Sequence, residues 1–349
     1  MSDQTIMVNQ IPSLTWHRLH INEAYVEPAE ELPQYLAPEA QLSDDVDASE
    51  ERNFSSSAQT GMGEALGSLI KKAGIPVFFC EAKAAVKDPV RLNYSCKNGE
   101  NTLSAAELTV PDGCEMTVIM IFRAEKDAKG RSGIQTRYHV GTAGKLHLVQ
   151  IQMLGDGMDF YNDIGGECDE NGRFELTQLM LSGHHTYYGI RSLLSGKKSS
   201  QKTDLAYQVS GDGLFDVNEV VQHTGKKTDC QINVSGVLRD HAKKTFRGTI
   251  DFVRGCAGST GNELEDVLLL DDPVVNQTLP VILCAEEDVA GNHGASIGRI
   301  DEDLLFYLNS RGIDDRAVEE MMARAKIDRV KNLIPDPKSA CEVDRFMNL

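Results

Sequence analysis

The chain reads as mainly β, with a long strand-rich body and a short helical tail. Two observations carry that expectation. Short runs rich in Val, Ile, Leu, Phe and Thr recur from Pro76 to about Ala285, separated by Gly, Asp and Asn, and several alternate with period two, as in Val149-Gln150-Ile151-Gln152-Met153. After residue 300 the apolar residues instead recur at helical spacing behind acidic cap residues. The expected division is 1–75, an N-terminal segment with an acidic linker and one helix; 76–290, the β body; and 291–349, a helical region. Periodicity leaves a sandwich and a solenoid equally open.

In chain order, Ile11–Leu19 holds the only tryptophan, Trp16, and is expected to dock. Asn22 to Glu51 contains ten acids and no Lys or Arg, with Pro28, Pro33 and Pro38 breaking any helix, so it reads as an extended, partly disordered linker. Met62–Ile70 predicts an amphipathic helix ending near Gly74. Strands are expected at Val77–Phe79, Met116–Phe122, Leu146–Met153, Phe174–Leu181, Cys230–Val237, Thr249–Val253, Val267–Leu270 and Pro280–Cys284. In the tail, Asp301 is placed to cap a helix over Glu302–Asn309 with a Leu304, Leu305, Leu308 stripe. Ser310-Arg311-Gly312 ends it, and Asp314 starts a second helix to about Leu333. That helix has acids first and bases last, and Val318, Met321, Met322, Ala325 and Val330 as its apolar face. Met321 and Met322 suit either core filling or an adaptable partner surface.

Composition excludes several functions. The 349 residues carry 35 Lys+Arg against 53 Asp+Glu, a formal charge of −18. That balance opposes binding to nucleic acid or anionic lipid. No apolar run approaches the ~18 residues of a membrane span, and the acidic opening MSDQTIM does not resemble a secretory signal, so a cytoplasmic location is expected. The eight cysteines include no CxxC pair and read mostly as buried thiols.

Enzyme motifs fail on context. Gly294-Ala295-Ser296-Ile297-Gly298 matches a nucleophile elbow, but the last histidine is His293, leaving no downstream base. Gly196-Lys197-Lys198-Ser199 and Gly225-Lys226-Lys227-Thr228 lack the leading Gly of a phosphate loop and have Lys where Ser or Thr must hold magnesium, so no nucleotide is expected to bind directly. Gly61-Met62-Gly63 follows a Ser-rich loop, not a strand. His184 and His185, adjacent on a strand, should point to opposite faces and so make poor partners for one metal.

One long signature remains: Asp288-Val289, His293-Gly294-Ala295, Gly298, Ile300-Asp301, Phe306-Tyr307-Leu308 and Ser310-Arg311-Gly312-Ile313, supported by Phe246-Arg247-Gly248, Leu268-Leu269-Leu270 and Pro280. It closely resembles the SufB/SufD family of scaffold proteins of the SUF iron–sulfur cluster machinery, most strongly over 240–325. The resemblance implies a right-handed parallel β-helix with flanking helices and a non-catalytic scaffold role. It implies a SufC-type ABC ATPase docked on the C-terminal helices, where Asp301, Leu304, Leu305, Phe306, Tyr307, Ser310, Arg311, Gly312, Met321 and Met322 are the candidate contacts. A second SufB/SufD-type subunit (the same chain or another) and a cysteine desulfurase as sulfur source are the further implied partners, and a transient iron–sulfur cluster or iron the implied cargo.

The chain departs from the family pattern in two places. Glu265 stands where SufB-type subunits carry a cysteine before the Leu268-Leu269-Leu270 run, and Gly294 stands where they carry Glu, so the local signature is SufD-like. His293 is the leading metal candidate, with Glu265, Glu263 or Glu287 able to complete a mixed nitrogen and oxygen site. Cys230, Cys256 and Cys284 are 26 and 28 residues apart, which would stack their thiols if one coil consumes that many residues. Cys256 and Cys284 are therefore further candidates. Two other readings stay open: a subunit that stabilises the ATPase complex without its own cluster site, and a β-helix carbohydrate-active enzyme. The latter is disfavoured by the missing export signal and an aromatic content of 6%.

Overall fold

The computed structural model describes residues 5–13 and 15–348 of the chain. Leu14 and the first four residues, on which part of the reading of the N-terminus falls, lie outside the described residues. The body is a parallel β-helix of about eight coils. Each coil gives one strand to each of two facing sheets. The first sheet stacks Val77–Ala82, Thr102–Val110, Lys129–Val140, Gly157–Cys168, His185–Leu194, Leu214–His223, Lys243–Phe252 and Val275–Cys284. The second stacks Val90–Ser95, Glu115–Arg123, Lys145–Met153, Arg173–Ser182, Ser200–Val209, Asp229–Leu238, Ser259–Leu269 and Val289–Gly298. One coil consumes from 26 residues (Phe160 to Thr186) to 32 (Lys243 to Val275). The last strand runs through position 290, so the helical region begins at Glu302, not at 291.

Inward residues of both sheets fill one continuous core. Aromatic rings stack along it: Tyr94 on Phe122 at 4.9 Å between centroids, Phe122 on Phe160 at 4.8 Å, Tyr138 on Phe174 at 3.9 Å. Each such fully buried side chain is worth roughly 1.5–3 kcal/mol relative to exposure. The outer faces are covered as well. Helix α1 (Ala65–Ala73) lays Leu66 and Ile70 over Leu103, Ala105 and Tyr187 of the first sheet. After α2 (Glu302–Asn309), α3 (Asp315–Lys331) and α4 (Pro337–Met347) cover the second sheet, with Ile327, Val330 and Val343 against Ile119, Ile121, Val149 and Ile151.

The acidic segment is extended, as its composition suggests, but it is not a free linker. Val46–Glu51 pairs antiparallel with Val77–Ala82, and Glu39–Gln41 with Val90–Ser95, so it closes the first edge of both sheets. Strand edges attract other strands unless they are covered or charged, and this segment does both. The N-terminal run docks through Val8, Asn9 and Ile11, all buried; Trp16 stays 40% exposed, contrary to expectation. Asn9 Nδ2 donates to Asp216 Oδ1 at 2.7 Å, and Arg247 Nη1 donates to the same oxygen at 2.7 Å.

Asp301 and Asp314 cap α2 and α3 as read, accepting from the Leu304 and Ala317 amides. The buried face of α3 is Val318, Ala323, Ile327 and Val330; Met321 and Ala325 turn outward and Met322 is half-buried. The two Gly-Lys-Lys sequences are stacked corners of successive coils, with the Lys198 amide donating to the Lys226 carbonyl at 2.9 Å. Gly294–Gly298 lies along a strand, not on an elbow.

Candidate functional site

The last coil leaves the core open. Residues paired in register across parallel strands share a face. Along Ser259–Leu269 the inward residues Ser259, Gly261, Glu263, Glu265 and Val267 alternate with outward ones. Their register partners on the final strand are Val289, Gly291, His293, Ala295 and Ile297. Among the described residues no further coil lies above these, so His293 is exposed and Ile297 is 43% exposed. His293 therefore sits one strand spacing, ~4.8 Å, from the backbone of Glu263.

Beneath this opening lies a buried charged cluster. Lys244 and Glu265 form an ion pair with both side chains out of contact with solvent. Lys244 Nζ also donates to Asn276 Oδ1 at 3.0 Å and Thr278 Oγ1 at 2.9 Å, and the Thr278 hydroxyl donates to the second oxygen of Glu265 at 2.7 Å. Burial lowers the Lys244 pKa, and the adjacent Glu265 opposes that shift. Glu263, without such a partner, is pushed up to about 8, first by burial and then by the negative charge of Glu265. Gly248 of the Phe246-Arg247-Gly248 motif makes room for it: a Cβ there would come within 2.0 Å of Glu263 Oε2.

Of the residues singled out from the sequence, the fold brings His293 and Glu263 together. Glu265 has both oxygens occupied, one by Lys244 and one by Thr278. Glu287 lies in the exposed corner between the last two strands. Cys284 is exposed at that same corner, at the end of the preceding strand, whereas His293 lies four residues along the last strand from Val289, ~13 Å at 3.3 Å per residue. Cys256 is buried in the turn before Ser259.

The three-thiol stack does not form. Cys230 is in register with Gly261 in the second sheet, whereas Cys284 pairs with Phe252 in the first. Cys230 Sγ lies 3.3 Å from His223 Nε2. Burial raises that thiol well above its usual range and lowers His223 to about 4, so the pair is neutral and poorly nucleophilic. Lys244 and Thr278 escaped sequence reasoning because nothing in a lysine within a strand signals that its ammonium points inward.

A second surface adjoins this end. Helix α2 buries none of its residues: Phe306 is 77% exposed, Tyr307 and Leu304 are exposed, and Arg311 lies over the Tyr307 ring at 5.1 Å. These apolar side chains of α2 stay outside the packed body, and Met321 of α3 is exposed as well. Ser310, Arg311 and Gly312 form the exposed turn between α2 and α3.

Residues 95–326 match the family described as SUF system FeS cluster assembly, SufBD core domain. The chain is similar to iron-sulfur cluster assembly protein SufD of Bacillus subtilis (strain 168), 32% identical over 186 residues, which are 53% of this chain and 43% of that protein. SufD of Escherichia coli (strain K12) is 24% identical over 226 residues, 62% of this chain and 52% of its own length. SufB of Bacillus subtilis is 25% identical over 181 residues, 52% and 38% of the two chains. The matched stretch thus spans about half or less of each relative.

Proposed function

Since the chain belongs to the SufBD core family of the SUF system for FeS cluster assembly, we propose that it serves in the cytoplasm as a scaffold or accessory subunit for iron–sulfur cluster assembly. The observation that carries this reading is the register of His293 over Glu263 at the open end of the coil. An imidazole and a carboxyl that can exchange its proton for a metal ion make a mixed donor set suited to iron. Nascent iron or a transient cluster is the cargo; the protein positions it, and a SufC-type ABC ATPase does the work of opening and closing. The exposed Leu304, Phe306 and Tyr307 of α2, together with Asp301, Leu305, Ser310, Arg311, Gly312, Met321 and Met322, form the proposed ATPase contact. The uncovered final strand is where a second SufB/SufD-type subunit would close the core, and a cysteine desulfurase would supply sulfur.

The occupied carboxylate of Glu265 favours a second reading, a subunit that supports the ATPase complex without holding metal. One experiment separates the two. His293→Ala and Phe306→Ala are each purified with the ATPase, and iron and sulfide are counted after anaerobic reconstitution. A scaffold loses iron with the first substitution and ATPase binding with the second. If the wild type itself takes up no iron or sulfide while Phe306→Ala still disrupts the complex, the chain is a stabiliser.

A further inference from the structure

Asp159, His184 and His185 converge on the outer side of the first sheet, far from the open end. We propose that these three side chains form a binding site for one divalent first-row transition-metal ion, distinct from the site at His293. Their ligand atoms all lie within 4.8 Å of one another. Asp159 Oδ1 is 3.2 Å from His184 Nδ1 and 3.7 Å from His185 Nδ1. Ligands on a tetrahedral ion with bonds of ~2.0–2.1 Å stand roughly 3.3 Å apart, so small side-chain adjustments admit an ion between them.

The backbone explains why adjacent histidines share a side. His184 precedes the strand, which begins at His185, so the alternation of strand faces does not apply to the pair. The chain turns at Gly183, where φ is +147° and a Cβ would come within 2.6 Å of Gln152 Nε2 and 2.9 Å of Thr186 Oγ1. The two rings then stack at 3.9 Å between centroids, 22° from parallel. Asp159 reaches them from the preceding coil and also accepts the His185 amide at 3.2 Å.

Charge and exposure suit a metal. Asp159 sets one carboxyl oxygen against both imidazoles, so the donors face one another across a single space. Arg131 lies 3.7 Å from Asp159 Oδ2, the oxygen turned away from the histidines, and donates to the Glu27 carbonyl. Lys243 adds further positive charge nearby, which a bound ion must outweigh. The three side chains are partly exposed, leaving room for water to complete the shell. Two nitrogens and one oxygen select zinc, iron, cobalt, nickel or copper over magnesium and calcium. Asp159 lies four strands of the first sheet before the final coil and the two histidines three, ~14–19 Å along the axis.

The test is a titration of the chelator-treated full chain with Co²⁺, read by visible absorbance, and with Zn²⁺, read by calorimetry. The wild type and His293→Ala should each bind one ion that a tenfold excess of Mg²⁺ does not displace and that His184→Ala/His185→Ala has lost. Asp159→Asn, which keeps the size of the side chain, should weaken binding at least tenfold. Thermal melts without metal establish that each variant is folded. Equal stoichiometry and affinity in the wild type and the folded double variant would overturn the site, as would a wild type with no ion bound at 0.1 mM (about the weakest affinity of use here). Loss of iron loading in His293→Ala alone leaves this site standing.

Discussion

Glu263 shows what the interior of the coil does to one residue. Its carboxyl is raised from 4.5 to about 8 in the folded chain, so the native state holds a proton that the unfolded chain releases. The native state therefore loses stability as pH rises from about 4.5 to about 8, and the loss is complete above the folded value. Glu263→Gln should remove this cost. Denaturant unfolding at pH 4 should give equal stabilities, and at pH 9 the variant should be the more stable by on the order of 1–3 kcal/mol. An unchanged difference between pH 4 and pH 9 would mean that the carboxyl is not held neutral. Lys244 and Glu265 take another course: the two groups are paired and each has further hydrogen bonds, so removing one alone would strand its partner in the core.

At the scale of elements, α2 and α3 are a contrast in what makes a helix. Helix α3 rests on the second sheet through Val318, Ala323, Ile327 and Val330. Helix α2 buries nothing and depends on its ends, with Asp301 accepting the Leu304 amide at 3.0 Å and Glu302 and Asp303 in its first turn. Asp301→Ala should weaken α2 by about 1 kcal/mol. Amide exchange over 302–309 should quicken while the global melting temperature stays in place; a fall in that temperature would show α2 to be part of the cooperative core. The caps at Asp301 and Asp314 were legible because capping is local chemistry. The buried face of α3 was legible only at Val318 and Val330, because Met321 and Ala323 look equally able to pack until the sheet beneath selects the smaller side chain for close approach.

The whole molecule is a coil with unlike ends. At the start, Glu39–Gln41 and Val46–Glu51 cover the strand edges; at the finish, Val289–Gly298 has a paired neighbour on one side only. Hydrogen exchange should therefore be slowest near Ile134–Tyr138 and Phe160–Ile164, in the buried middle coils, and fastest among body strands at Val289–Gly298. Addition of a partner subunit should slow that last strand selectively. Uniform protection across all coils would mean that the final strand is already covered in the isolated chain. No helix among the described residues is long and apolar enough to cross a membrane, in keeping with the acid-rich composition.

Local signals were sufficient for the strand-rich body, since runs such as Leu146–Met153 carry their own alternation, and for the helix starts, since a cap needs only its next three residues. Even the coil length was written in the chain, in the corners Gly196-Lys197-Lys198-Ser199 and Gly225-Lys226-Lys227-Thr228, 29 residues apart and one coil on top of the other. Which residues meet across coils was decided only in three dimensions. Coil length varies between 26 and 32 residues because corners absorb insertions while the packed interior sets strand register, so fixed spacing misplaced Cys230, Cys256 and Cys284. The same freedom at a corner turned His184 beside His185, and register alone set His293 above Glu263.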